Sequence, residues 1–124
     1  MIQQNTPELF VRDVDEAVRY YTEALGFQLA GRVPDDPTQP AEWAQVQLGN
    51  AAFMFEKAAD RPRPEGVAFY LAVEDVDRAG DELRHRGARI VRGPEDMPYG
   101  MREITVEDPS GFRLVFMSPV RHGA

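Results

Sequence analysis

Three glutamates, Glu8, Glu56 and Glu103, fall on strand-like segments at positions that set them among aromatic and methionine side chains. A carboxylate desolvated beside like charges can hold a proton near neutrality and act as a general base, and Glu56 and Glu103 are the candidates for that role. Arg113 is the one opposing charge expected beside them. The chain has no cysteine, which excludes disulfides, thiolate nucleophiles and Cys-ligated zinc. Its two histidines, His85 and His122, are too few for a multi-histidine metal site. His85, between Arg84 and Arg86, reads as solvated helix surface, and Ser110 and Ser118 have no base nearby in sequence. Acidic groups among Phe10, Trp43, Tyr70 and the methionines suit a cationic or flat amphipathic ligand, held by stacking and charge pairing. The competing reading is a solvated face with carboxylates at its rim, or a dimer contact.

The 124 residues suffice for one domain or two small modules, and 43% hydrophobic residues suit a globular chain. A net charge of −7 repels phosphate backbones and anionic membranes, so neither nucleic acid nor membrane is an expected partner. The thirteen arginines and single Lys57 form no basic run. With no apolar run of about 20 residues and no signal-peptide pattern at the N-terminus, the expected location is cytoplasmic.

An internal repeat organises the chain. Asp13-Val14-Asp15-Glu16-Ala17 recurs as Asp75-Val76-Asp77-Arg78-Ala79, an offset of 62 residues and half the chain length. Val14, Ala17, Val18 and Tyr21 mark one face of an amphipathic helix; the same offset lands on Val76, Ala79, Gly80 and Leu83. Asp13, Asp15 and Asp75 are read as helix caps rather than ligands, and Gly26 and Gly87 as the helix ends, the second one residue early. Strand-like segments flank each helix: Leu9 to Val11, Phe27 to Leu29, Trp43 to Leu48 and Ala52 to Glu56, then Phe69 to Val73, Ala88 to Val91, Met101 to Val106 and Phe112 to Met117. The pattern is βαβββ twice. It predicts an α+β fold of two tandem modules, residues 6–57 and 66–119, within one domain spanning 1–124. Loops are expected over 34–40, over 57–66, which joins the modules, and over 93–100.

Strand alternation assigns two faces. Leu9, Val11, Val46, Leu48, Phe53, Phe55, Phe69, Leu71, Ile104, Val106, Leu114 and Phe116 form an apolar set expected under the helices. Phe10, Trp43, Gln45, Met54, Glu56, Tyr70, Met101, Glu103, Arg113 and Val115 fall on the other face, a mixture composed like a ligand cleft.

The duplicated βαβββ unit, with the run from Asp13 to Tyr21 leading to Leu25-Gly26-Phe27, resembles the vicinal oxygen chelate superfamily. That group includes glyoxalase I, the extradiol dioxygenases and the bleomycin resistance proteins. Asp108-Pro109-Ser110-Gly111-Phe112 resembles its turn into the last strand, and Pro98-Tyr99-Gly100-Met101-Arg102-Glu103 resembles a segment of the bleomycin resistance branch. The resemblance implies a curved mixed sheet around a cleft, helices on the outer face, commonly within a dimer. It also places Tyr99 and Arg102, in the loop entering the seventh strand, among ligand contacts. The superfamily's metalloenzymes draw ligands from the first and last strands of each module. The matching positions here are Thr6, Ala68, Met54 and Val115, none a hard-metal ligand, with Glu56 the one nearby substitute. The expectation is therefore no metal and no cofactor. The leading function is sequestration of a small basic or aromatic molecule by a homodimer, as the bleomycin resistance branch does. The alternative is a metal-independent isomerase or lyase using Glu56 or Glu103 as base.

Overall fold

A computed structural model describes residues 1–121; His122 lies outside the described residues. The chain divides into two compact units, one of Met1–Arg63 with Pro109–Gly111, the other of Pro64–Asp108 with the chain from Phe112 onward. Each carries an open, mixed four-stranded sheet with a helix on one face. The architecture is the expected α+β pair of βαβββ modules.

In the first unit β1 (Glu8–Val11) leads into α1 (Val14–Arg19), followed by β2 (Gln28–Val33), β3 (Trp43–Leu48) and β4 (Ala51–Lys57). The spatial order is β1-β4-β3-β2, with β1 parallel to β4 and the other pairs antiparallel. Asp13 caps α1, its Oδ1 accepting the Glu16 N–H at 2.8 Å, a bond worth about 1 kcal/mol. The helix does not stay α-helical to its end. Tyr20–Ala24 form a π-helical turn, a one-residue widening that a 3.6-residue apolar period does not reveal. That turn carries the fully buried Tyr21, whose ring meets Phe27, Phe53 and Phe55 at centroid distances of 5.7, 5.6 and 4.8 Å. Leu9, Val11, Val46, Phe53 and Phe55 complete the core beneath the helix.

The second unit repeats the plan. Its elements are β5 (Ala68–Ala72), α2 (Val76–Arg86), β6 (Ile90–Asp96), β7 (Met101–Glu107) and β8 (Arg113–Pro119), in the order β5-β8-β7-β6. The repeat extends to register: β1 sets Glu8 opposite Met54, and β5 sets Tyr70 opposite Val115, offsets of 62 and 61 residues. Asp75 caps α2, and Gly87 at φ 87° closes it, with the Ala88 N–H reaching the Leu83 carbonyl at 2.9 Å. Gly80 interrupts the α2 stripe for a packing reason: a side chain there would overlap the Ile104 Cδ1 methyl of β7. Asp108 opens the turn into β8, its Oδ1 accepting the Phe112 N–H at 2.9 Å.

Four expectations need correction. First, β6 does not stop at Val91 but runs on through Gly93 and Pro94 to Asp96, so only its end is loop. Two register shifts against β7 absorb the glycine and proline, and an edge strand tolerates the missing N–H. Gly93, at φ 89°, is required there, because a Cβ would run into the Glu103 carbonyl oxygen. Second, β2 begins at Gln28 and continues to Val33, carried past Leu29 by a bulge at Ala30. Third, Asp15 is not a cap. Its carboxylate accepts from the Ala41 N–H at 3.0 Å and from Arg32 at 3.2 Å. Of the apolar set expected under the helices, Leu48 is exposed, at the end of β3 beside the turn at Gly49.

Candidate functional site

On the first unit's helix-free face, cross-strand register builds two rungs. Phe10 of β1 faces Glu56 of β4, and Glu56 faces Trp43 of β3, so the carboxylate stands between two aromatic residues. The neighbouring rung is Glu8, Met54 and Gln45. Phe10 is 48% exposed, and Trp43, Gln45 and Met54 are half-buried. Trp43 lies over Gly31, whose missing side chain makes room: a Cβ there would sit 3.2 Å from the indole ring. Glu8 holds its proton above the usual 4.5, first because burial penalises its charge and second because the Glu56 carboxyl repels it while hydrogen-bonding to it.

On the second unit's helix-free face, Glu103 sits opposite Met117 and Glu95, and the next rung runs Tyr70, Val115, Thr105 and Arg92. Glu103 is 7% exposed and accepts the Tyr99 hydroxyl at 2.5 Å. That bond, then burial and the carboxylate's charge, lifts the Tyr99 phenol to about 12, so it remains a donor at neutral pH. Tyr70 and Tyr99 themselves are 54% and 60% exposed. Arg92 contributes the opposing charge near Glu103 and Tyr99, while its guanidinium bonds Glu95 at 2.7 Å.

These placements revise several assignments. Arg113 is not the counter-charge of the glutamates; it faces Glu107 in register and approaches its Oε2 at 3.5 Å. Arg102 lies inside β7 rather than in a loop. Its guanidinium is taken by Asp77 of α2 at 3.0 Å and Asp96 at 2.9 Å, on the helix-covered side of the strand. Val115 shares the expected face but is buried, and Met101 is half-buried at the first position of β7. His85 is exposed on α2, and Ser118 Oγ accepts the Val76 N–H at 3.0 Å, a structural bond. Arg92 and Glu95 reach this face only because β6 runs on past Val91, and Gly93-Pro94 with two register shifts hide that continuation from the sequence pattern.

The residues do not fit the superfamily-type metal site. Thr6 precedes β1 and Ala68 opens β5, while the register sets Glu8 opposite Met54 and Tyr70 opposite Val115, so neither the expected positions nor their strand partners combine into a set of hard-metal ligands. Among the described residues no three His, Cys, Asp or Glu side chains come together as a metal-binding group.

The model of the Glyoxalase/Bleomycin resistance protein/Dioxygenase superfamily matches residues 3–116. The chain belongs to that superfamily. An uncharacterized protein of Mycolicibacterium smegmatis is 32% identical over 113 residues, covering 91% of this chain and 90% of that one. A probable lactoylglutathione lyase of Synechocystis is 31% identical, covering 84% and 86%. Among solved structures, TioX from Micromonospora sp. ML1 superposes with a TM-score of 0.79 at 25% identity, covering 96% of this chain and all of TioX (100%). TnmS3, an antibiotic-binding protein from Streptomyces, shares the fold at a TM-score of 0.75 and 24% identity, covering 97% and 98%. Superfamily members thus include antibiotic-binding and glyoxalase-like proteins on one scaffold. Among the described residues, no helix is long and apolar enough to cross a membrane.

Proposed function

We propose that the protein binds a small basic or aromatic molecule without transforming it, acting as a cytoplasmic homodimer of the bleomycin-resistance type. The observation that carries this reading is the rung Phe10, Glu56, Trp43. A carboxylate flanked by two rings pairs with a cationic nitrogen while the rings stack on a flat ligand body, and Met54 beside it adapts to irregular outlines. On the second unit's own face the nearly buried Glu103 is bonded by Tyr99, itself close to Tyr70, a second acidic and aromatic cluster suited to the same ligand class. TnmS3 shows that this fold is compatible with antibiotic binding.

The test is titration of the purified protein with basic and neutral aromatic ligands, including metal-free and copper-loaded bleomycin, following the emission of Trp43, the chain's one tryptophan. Saturable quenching with the ligand recovered unchanged supports sequestration. A ligand recovered chemically altered overturns it, as does absence of any response. Sedimentation at several concentrations tests the dimer.

One observation favours a second reading. Glu8 and Glu56 lie on the adjacent strands β1 and β4, and the Glu8 carboxyl is raised above its ordinary value, first by desolvation and then by Glu56, the direction a general acid or base requires. Turnover with a bell-shaped pH profile that Glu56→Gln abolishes would establish it; Glu103→Gln is the parallel test for the other candidate base.

A further inference from the structure

At the end of the β2–β3 ribbon lies a concavity of about 450 Å³ lined by Gln28, Ala30, Gln47, Leu48 and Gly49. Its size is within the range of small-molecule sites. The β2–β3 register sets Gln28 directly opposite Gln47, and Gln45 stands two residues along β3 on the same face. Ala30 is the residue the bulge leaves without a cross-strand partner, and such bulges re-aim side chains at the edges of sheets. Gln47 Nε2 donates to the Gly49 carbonyl at 3.3 Å, which fixes that carboxamide and leaves its oxygen as an acceptor. The carboxamides of Gln28 and Gln45 make no hydrogen bond to any described residue. Beside this row, the Trp43 indole extends over Gly31, the neighbour of Ala30, and offers a flat apolar surface.

The chemistry of the lining selects the ligand group. None of the five lining residues carries a charge, so an ammonium or carboxylate entering here would lose water without meeting a counter-ion. The net charge of −7 disfavours anions further. Carboxamides both donate and accept, and so does every hydroxyl of a sugar, whose C–H face packs on an aromatic ring. We infer that this concavity is a subsite for a neutral sugar ring, its hydroxyls bonded by Gln28 and Gln47 and one edge of the ring reaching Trp43. The inference rests on the proposal that the helix-free face binds small molecules, and adds that the molecule carries a glycosyl group.

The probes are methyl β-D-glucopyranoside, methyl β-D-galactopyranoside and methyl α-D-mannopyranoside, read by the Trp43 indole N–H resonance and by saturation transfer to the sugar protons. At least one glycoside is expected to give a saturable shift of that resonance. Replacing Gln28 and Gln47 together by alanine should weaken binding about tenfold, the effect of losing one or two neutral hydrogen bonds. His85→Ala, at an exposed position of α2, should leave it unchanged. No shift with any glycoside overturns the inference, and so does a shift that the double variant leaves intact while its circular dichroism matches the wild type. If basic aromatic ligands quench Trp43 but no glycoside binds, the sugar subsite alone fails. If glycosides bind through Gln28 and Gln47 but no basic or aromatic ligand does, the ligand class proposed above fails and the subsite stands.

Discussion

Asp15 and Asp77 hold the same position in their two helices, the second helical residue, and each anchors the chain that enters the third strand of its unit. Asp15 accepts from the Ala41 N–H, two residues before β3, and Asp77 accepts from Arg102, the second residue of β7. By register the third strands are offset by 60 residues, so Ala41 answers to Met101, and the two anchors take neighbouring donors, a backbone N–H in one unit and a guanidinium in the other. In the first unit a second arginine joins. Arg32, with its side chain 13% exposed, reaches Asp15 and the carbonyls of Pro34, Asp36 and Gln39, tying the β2–β3 loop to α1.

That clamp stands immediately before Trp43. Replacing Arg32 by Met keeps most of the apolar stem and removes every one of these bonds, leaving loop carbonyls and Asp15 to water. A loss of about 2 to 3 kcal/mol is expected, as for hydrogen bonds to a charged group in a partly buried setting. Urea unfolding measures it, and a red shift of Trp43 emission in the folded variant reports the loosened loop. Unchanged emission would show that the loop does not position the indole.

Gly80→Ala distinguishes packing from propensity. On an open helix surface the change would stabilise by about 1 kcal/mol. Here the added methyl meets Ile104 Cδ1, so overpacking of about 1 to 3 kcal/mol opposes that gain, and a net loss of stability is expected. The double variant Gly80→Ala with Ile104→Val should recover part of it.

The Tyr99 phenol provides a pH-dependent reporter of its bond to Glu103. Because the folded phenol ionises only near 12 instead of 10, its contribution to stability is complete below pH 10 and is lost as the pH rises towards 12. Ultraviolet titration at alkaline pH should show one tyrosine ionising late. In Glu103→Gln that step should move down, since the carboxylate that holds the proton is gone.

Glu8 titrates in the opposite pH range with the same sign. Its folded value is raised, first by burial and then by Glu56, so its stabilising contribution is complete below pH 4.5 and is lost as the pH climbs through the folded value. Glu56→Gln removes the repelling charge. The Glu8 carboxyl midpoint, followed by carbon NMR, is expected to fall, and the variant should lose less stability between pH 4 and 7 than the parent.

Much of this was legible in the sequence, because it depends on period and local chemistry. The 62-residue repeat, the capping aspartates, the glycine at the end of α2 and the alternation of Leu9, Val11, Phe53 and Phe55 are each determined by neighbours a few residues away. They fix two βαβββ units and the face each strand turns to its helix. The sequence likewise determined that Met54 and Val115, at the last-strand positions, are not hard-metal ligands. What alternation could not decide was pairing. Register alone placed Glu56 between Phe10 and Trp43, gave Arg113 to Glu107, and carried Arg102 to Asp77 on the far side of its strand. Bulges in β2 and β6 shifted parity where the sequence showed only glycine and proline, which set Arg92 opposite Thr105, beside Glu103, and left Ala30 without a partner next to the Gln28–Gln47 pair. Which side chains meet across a sheet is settled by hydrogen-bonded register between segments tens of residues apart, and no local pattern encodes that distance.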